Sequence, residues 1–195
     1  MEKTEYGVQK KDKREIILQT TLELLAINGF QHTPMSLIAR RSGASAGIIY
    51  HYFTSKDELI RALYRRIKTE FSHAILSSDV QRLPLGERFL HVWISAFHFY
   101  MTHPYETAFL EQYESAPDKG TWTNEDTFEG EALLFQMIEE YQKHQLLKGL
   151  PYSALYELTL GVAIRLARQA ASGQFSGDDA TLRGIAQACW DAIAR

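Results

Sequence analysis

Residues 29–59 read GFQHTPMSLIARRSGASAGIIYHYFTSKDEL and contain two short helical patterns separated by a glycine turn. Thr33 is placed to cap the first pattern, and Pro34 suits its first position because the N–H that proline lacks has no helical partner there. Gly43 supplies the residue that a tight turn needs. Ser45 then caps a second, very short helix. Two short helices joined in this way predict a helix-turn-helix.

Longer helices are predicted on both sides of this motif. Upstream, apolar residues recur at helical spacing over roughly residues 12–28, and Gly29 follows as the expected terminator. Downstream, Ser55 and Glu58 form a capping box. They open a helix over roughly residues 56–76, whose apolar residues fall at steps of four. The first helix therefore braces the motif, and the last one continues into the remainder of the chain.

The rest of the chain also reads as helices, because no pair of alternating β-branched runs is joined by a hairpin turn. Proline and glycine clusters near residues 84–86, 103–104, 117–120 and 149–151 separate the helical stretches. We predict an all-α fold of about nine helices. A three-helix head occupies residues 1–56, and a helical body occupies residues 57–195.

The composition is that of a globular protein with an uneven charge distribution. The 195 residues carry a formal net charge of −3, but residues 1–68 hold 12 basic against 7 acidic residues and residues 69–195 hold 9 against 17. A basic head on an acidic body is typical of nucleic-acid-binding proteins. The polar N-terminus and the lack of a long apolar run predict a cytoplasmic protein without a secretory signal or a membrane span.

The motif resembles the N-terminal signature of the tetracycline-repressor (TetR) family. The resemblance covers residues 29–33, 38–53 and 55–59. Ser42 and Ala44 stand where the family usually has Ala and Val. After the tyrosine that corresponds to Tyr50, the family usually has His-Phe, whereas this chain has His51, Tyr52 and Phe53. Either aromatic residue can therefore be the family's core phenylalanine, and the register there stays open.

The resemblance implies binding to a palindromic operator in double-stranded DNA. The second short helix would be the recognition helix. Small residues at its start would allow a close approach of the backbone, and the later hydroxyl, imidazole and ammonium groups would contact phosphates or base edges. The implied contact residues are Thr33, Ser45, Ala46, Gly47, Tyr50, His51, Tyr52 and Lys56; Arg40 or Arg41 would add charge. The alternative is that Thr33 and Ser45 are only helix caps, or that the head has no DNA role.

Aromatic residues in the body predict a pocket for a small apolar or aromatic effector, which the family resemblance also implies. The predicted lining is Trp93, Phe97, Tyr100, Phe109, Tyr113, Phe135, Ile138, Tyr141 and Tyr156. An ordinary packed core is the alternative for each residue taken singly. Glu106, Glu111 and Glu114 would favour a cationic ligand, or else are solvated surface groups.

Small residues on the last two helices predict a homodimer interface, because they allow helices to approach closely. The predicted residues are Gly161, Ile164, Ala167, Ala171, Leu182, Ile185, Cys189 and Ala192. Packing within one chain is the alternative. The resemblance favours a dimer, since the recognition helices of two chains must bind the two half-sites of a palindromic operator. As the only cysteine, Cys189 has no internal disulfide partner, and we expect it to be a buried apolar residue.

No motif indicates an enzyme: a phosphate-binding glycine loop, a nucleophile elbow and a His-Glu-x-x-His sequence are all missing. His91, His98 and His103 lie close in sequence but lack an evident further ligand, so we predict no metal and no cofactor. The family resemblance implies a ligand-released transcriptional repressor, with repression taken as the family default. The alternatives are a regulator or activator of the same fold without an effector, and a helical ligand-binding protein or enzyme that kept the head.

Overall fold

The computed structural model describes residues 13–76, 78–114 and 129–195, and the regular secondary structure of this part of the chain is helical. The chain forms two compact units, Met1–Leu63 and Tyr64–Arg195. The boundary between them follows Leu63, whereas the sequence predicted it after Lys56. None of the described helices is both long and apolar enough to cross a membrane.

The first unit contains three complete helices and the beginning of a fourth. They are α1 (Lys13–Asn28), α2 (Met35–Ser42), α3 (Ala46–Tyr52) and α4 (Lys56–Ile75). Both α2 and α3 pack against α1, and their apolar faces enclose a small core made of Ile17, Leu18, Leu22, Leu25, Ile38, Ile49, Phe53, Leu59 and Leu63. The predicted helix-turn-helix braced by a longer helix is confirmed.

The second unit contains the remaining helices. These are α5 (Ser78–Gln81), α6 (Leu85–Thr102), α7 (Pro104–Glu114), α8 (Glu129–Lys143), α9 (Tyr152–Tyr156), a π-helical turn (Glu157–Gly161), α10 (Val162–Ala171) and α11 (Asp179–Ile193). Both α10 and α11 pack on α6, whose apolar side chains are largely buried. The nine predicted helices correspond to these elements when α9, the π turn and α10 are taken as one rod and α5 as a single extra turn.

The π-helical turn interrupts this rod where the sequence predicted an unbroken α-helix. Thr159 lies in the middle of the turn and is buried. Its hydroxyl donates to the carbonyl of Leu155 at 2.6 Å, and its own carbonyl accepts the indole N–H of Trp93 at 3.1 Å. A backbone acceptor on the rod therefore satisfies a donor on α6 that would otherwise be buried without a partner.

The end of α8 also differs from the prediction. From the sequence, this helix is predicted over about residues 125–147, but it ends at Lys143 because Gln145 adopts a left-handed backbone conformation with φ 55°. The chain then turns, and Leu147 forms an antiparallel bridge with Ala194. Backbone pairing with the C-terminal residues thus replaces the last predicted helical turn. The predicted start of this helix, at Glu125, lies outside the described residues.

Candidate nucleic-acid interface

The turn before α3 fixes which face of this helix is exposed. Gly43 has φ 67° and ends α2 in the left-handed conformation, as predicted. Ser45 caps α3, and its hydroxyl oxygen accepts the N–H of Ile48 at 3.3 Å. Ile49 is buried, so the residues on the opposite face of this two-turn helix point to solvent.

The exposed face of α3 carries small residues first and aromatic ones later. Ser45, Ala46 and Gly47 are exposed, and no atom comes closer than 4.0 Å to a Cβ placed on Gly47. Tyr50 is 53% exposed, and His51 beside it is exposed as well. A flat backbone surface followed by hydrogen-bonding groups is a shape that can enter the major groove of DNA.

Phe53 resolves the register that the sequence left open. Its ring is 1% exposed, and the guanidinium of Arg14 lies 5.4 Å from the ring centroid. Tyr52 is only half-buried, and the ring of His51 contacts it edge-on at 5.3 Å. Phe53 is therefore the core aromatic residue, and Tyr52 keeps part of its surface for contacts outside the chain.

The structure gives Thr33 a different role from the one predicted. Its side chain is fully buried, and its hydroxyl donates to the carbonyl of Gly29 at 2.9 Å and to that of Leu24 at 3.3 Å. The cap residue of α2 is Pro34, which makes no side-chain cap. The prediction that Thr33 caps α2 is therefore wrong, and its hydroxyl is turned inward to the end of α1 rather than outward to a phosphate.

Lys56 is half-buried, and its ammonium already has a partner within the unit. The Nζ atom donates to the carbonyl of Phe30 at 2.6 Å, which ties the start of α4 to the beginning of the link that follows α1. Burial lowers the pKa of Lys56, and the nearby Asp57 partly offsets that effect. Arg40 and Arg41, in the last turn of α2, are exposed and add positive charge to the motif.

The predicted capping box at the start of α4 is present in a modified form. The hydroxyl of Ser55 accepts the N–H of Glu58 at 3.1 Å. The Glu58 carboxylate reaches one residue further back than the usual pattern and accepts the N–H and the hydroxyl of Thr54. Both ends of the link between α3 and α4 are thereby fixed, which holds α3 in place.

The residues predicted to form one effector pocket are distributed over several places in the second unit. Trp93, Ile138, Tyr141 and Tyr156 line an apolar cavity of about 60 Å³. Tyr100 lines a different, open cleft. The buried Phe97 packs against Trp93 and Phe175, and the buried Tyr113 packs against Tyr64 and Phe109. The side chain of Phe135 lies outside the described residues.

The residues predicted for the dimer interface differ in burial, and only some of them lie at the surface. Ala167, Leu182 and Cys189 are buried inside the chain, because α10 and α11 turn these faces to α6. These side chains are therefore covered mainly by packing within one chain. The remaining predicted residues are half-buried (Gly161, Ile164 and Ile185) or exposed (Ala171 and Ala192).

On the outer face of α11, the sequence reasoning named Ala192 but missed the small residues that precede it. Ala180, Gly184 and Ala188 recur there at steps of four and are all exposed. The pattern was present in the sequence, but only the placement of α6 separates this outer face from the inner one. Cys189 is buried as predicted, and burial raises the pKa of its thiol, which makes it a poor nucleophile.

The three neighbouring histidines do not come together as ligands. Among the described residues, no group of three or more His, Cys, Asp or Glu side chains could hold a metal ion. His103 instead stacks on Phe99 at 4.3 Å between ring centroids, and its Nδ1 lies 2.9 Å from the carbonyl of that residue. His91 and His98 are exposed on α6.

Comparisons with known proteins agree with this geometry. The family model of bacterial regulatory proteins of the tetR family matches residues 17–63. The model of the tetracyclin repressor-like C-terminal domain matches residues 84–194, which is more than half of the chain. An uncharacterized HTH-type transcriptional regulator of Haemophilus influenzae is 29% identical over 187 residues, covering 95% of this chain and 98% of its own.

Two further relatives extend the comparison. A crystal structure of a TetR-family transcriptional regulator from Haemophilus influenzae superimposes with a TM-score of 0.77 at 27% identity, over 95% of this chain and 98% of the other. The HTH-type transcriptional regulator BetI of Escherichia coli is 38% identical over 80 residues, which is 41% of this chain and 40% of its own.

Proposed function

Because the chain belongs to the TetR family of DNA-binding transcriptional regulators, we propose that α3 is its recognition helix and that the exposed face of α3 binds an operator. The supporting observation is that the side of α3 opposite the buried Ile49 is exposed, at Ser45, Ala46, Gly47, Tyr50 and His51. Ser45 uses an oxygen lone pair to cap α3, so its hydroxyl hydrogen is still available for a phosphate oxygen. Ala46 and Gly47 would allow close approach, and Tyr50, His51 and Tyr52 would supply polar contacts.

Lys56 takes a supporting role in this proposal. Its hydrogen bond to the carbonyl of Phe30 leaves two of the three ammonium hydrogens for other acceptors. It therefore adds charge next to a DNA backbone while holding α4 against the motif. The inward-turned hydroxyl of Thr33 is left out of the set.

The DNA-binding proposal is tested with a duplex from the region beside the protein's own gene. Fluorescence anisotropy of wild-type protein should give an affinity that falls steeply as salt is raised. Tyr50→Ala should weaken binding by roughly 5- to 150-fold, the effect of a lost specific contact. Tyr105→Ala, which removes a tyrosine that is 44% exposed in α7, is the matched control and should bind normally. Equal affinities for Tyr50→Ala and wild type would contradict the assignment of α3.

We propose further that the protein is a cytoplasmic repressor released from its operator by a small apolar or aromatic effector. The apolar cavity lined by Trp93, Tyr141 and Tyr156 supports this role. At about 60 Å³ it has room for about two water molecules. A larger effector would have to push the surrounding helices apart, and this coupling between binding and helix position is what a population shift requires.

Release is tested by titrating the protein–DNA complex with a small aromatic compound such as indole. Leu155 also lines the cavity, and Leu155→Phe would fill it. This variant should bind DNA like wild type and resist release. A complex that no apolar or aromatic compound dissociates would favour a regulator of the same fold without an effector.

We also propose that the protein acts as a homodimer through the outer face of α11. Ala180, Gly184 and Ala188 form a flat exposed strip, and no atom lies within 4 Å of a Cβ placed on Gly184. A second helix could approach this strip closely. Gly184→Glu should convert dimers to monomers in sedimentation experiments, whereas Gly86→Glu, at an equally open glycine of α6, should leave the dimer intact. A dimer that survives Gly184→Glu would place the interface elsewhere.

A further inference from the structure

An open cleft in the second unit lies between α7 and α10 and is separate from the apolar cavity. Its volume is about 520 Å³, which is within the range of about 300–1,000 Å³ that small-molecule sites occupy. Tyr100, Pro104, Ala108 and Ala171 contribute to its wall. It is therefore large enough for a ligand without any movement of the helices.

The charged side chains in the cleft are two arginines and one carboxylate, namely Arg165, Arg168 and Glu111. Arg168 forms an ion pair with Glu111 that joins α10 to α7. Arg165 is exposed, and within the described part of the chain it has no hydrogen-bonding or ion-pairing partner at contact distance. Among the described residues that line the cleft, Arg165 is therefore a guanidinium with no carboxylate in ion-pair contact.

Both aliphatic hydroxyl groups of the wall are already used within the chain. The hydroxyl of Thr107 donates to the carbonyls of Tyr100 at 3.0 Å and His103 at 2.8 Å. The hydroxyl of Ser172 donates to the carbonyl of Gln169 at 3.1 Å. A ligand would therefore meet guanidinium and amide groups beside apolar side chains. Burial raises the pKa of Glu111, and the two arginines oppose that shift, which indicates a positive potential at this carboxylate.

We propose that this cleft binds a small organic carboxylate whose charged group pairs with Arg165 and whose apolar body lies against Tyr100 and Ala108. A single negative charge matches Arg165, which no described carboxylate contacts as an ion pair, whereas a doubly charged phosphate would leave charge unpaired. An arginine fork binds a carboxylate in two parallel hydrogen bonds. The same carboxylate competes with Glu111 for Arg168, so binding loosens the link between α7 and α10. The site stands without the proposed operator release, whereas a role of this ligand as effector rests on that proposed function.

The proposal is tested by calorimetric titration of the full chain with benzoate, with neutral benzamide and with inorganic phosphate. Benzoate should bind saturably and benzamide should not. Arg165→Gln should weaken benzoate binding about tenfold or more, as expected for the loss of a charge-assisted hydrogen bond. Arg82→Gln, at an arginine that is largely exposed beyond α5, is the matched control and should bind benzoate normally.

Glu111→Gln supplies a second test, in which the affinity for benzoate is expected to rise and not to fall. If Glu111 competes with the ligand for Arg168, its removal should strengthen benzoate binding several-fold, whereas a purely structural role for the ion pair would weaken it. The proposal is overturned if benzoate does not bind, if benzamide or phosphate binds as tightly, or if Arg165→Gln binds benzoate like wild type. DNA affinity measured on the same variants separates this result from a failure of the proposed operator binding.

Discussion

Replacing Thr33 by valine separates the inward role of its hydroxyl from the phosphate contact that the sequence predicted. Valine keeps the shape of the side chain and removes the hydrogen bonds to the carbonyls of Gly29 and Leu24. Leaving a buried carbonyl without its donor costs about 1–3 kcal/mol. A unit the size of the head shifts its melting temperature by roughly 4–8 °C for each kcal/mol, so a loss of at least about 4 °C is expected.

The folded variant should bind DNA like wild type, because the hydroxyl does not face solvent. A lost hydrogen bond to a charged phosphate would instead weaken binding by roughly 10- to 150-fold. Circular dichroism melts and anisotropy at low temperature measure the two effects separately. Thr33→Ser keeps a hydroxyl and serves as the control for its loss. Normal stability combined with weakened DNA binding in Thr33→Val would refute the inward placement.

Three further substitutions test the local structure by thermal melts. The Cβ that Gly43→Ala adds meets no atom within 4 Å, so the substitution should cost only the backbone strain of a left-handed residue, about 1–2 kcal/mol. An unchanged melting temperature would mean that the turn has another conformation. Ile49→Ala should cost about 2–5 kcal/mol in the head, and a smaller loss would place this side chain outside the core. Asp178 accepts hydrogen bonds from Thr181 that hold the pKa of its carboxyl below the ordinary value of 3.8. Wild type should therefore be more stable than Asp178→Asn at pH 7, and this advantage should vanish as the pH falls below 3.8. An advantage that does not depend on pH would contradict the assigned hydrogen bonds.

The fold of the head was predictable because its signals are local. Gly43, Ser45 and Ser55 each act on neighbours within a few residues, and the structure has the turn and caps that they predict. Thr33 was misassigned because its partners, Leu24 in α1 and Gly29 just after it, lie nine and four residues earlier in the chain. A threonine before a proline looks the same in the sequence whether its hydroxyl points in or out.

The candidate sites in the body were harder to predict because they depend on how distant helices pack. Helical spacing puts Leu182 and Cys189 on one apolar face of α11, but it does not say whether α6 or a second chain covers that face. The aromatic residues have the same ambiguity, since Trp93 lines a cavity while Tyr113 fills the interior. Arg165 and Arg168 face a common cleft with Glu111, and that neighbour comes from another helix.

The wide turn at Glu157–Gly161 accommodates one more residue than a regular α-helical turn would. Deleting one residue there would let the rod become regular while Ala163 and Ala167, now fully buried, keep facing α6. Deleting one residue elsewhere in the rod would instead rotate the residues that follow by about 100°, the angle that one residue of an α-helix covers. Loss of a residue from this turn should therefore disturb the packing of α10 less than loss of a residue from its regular part.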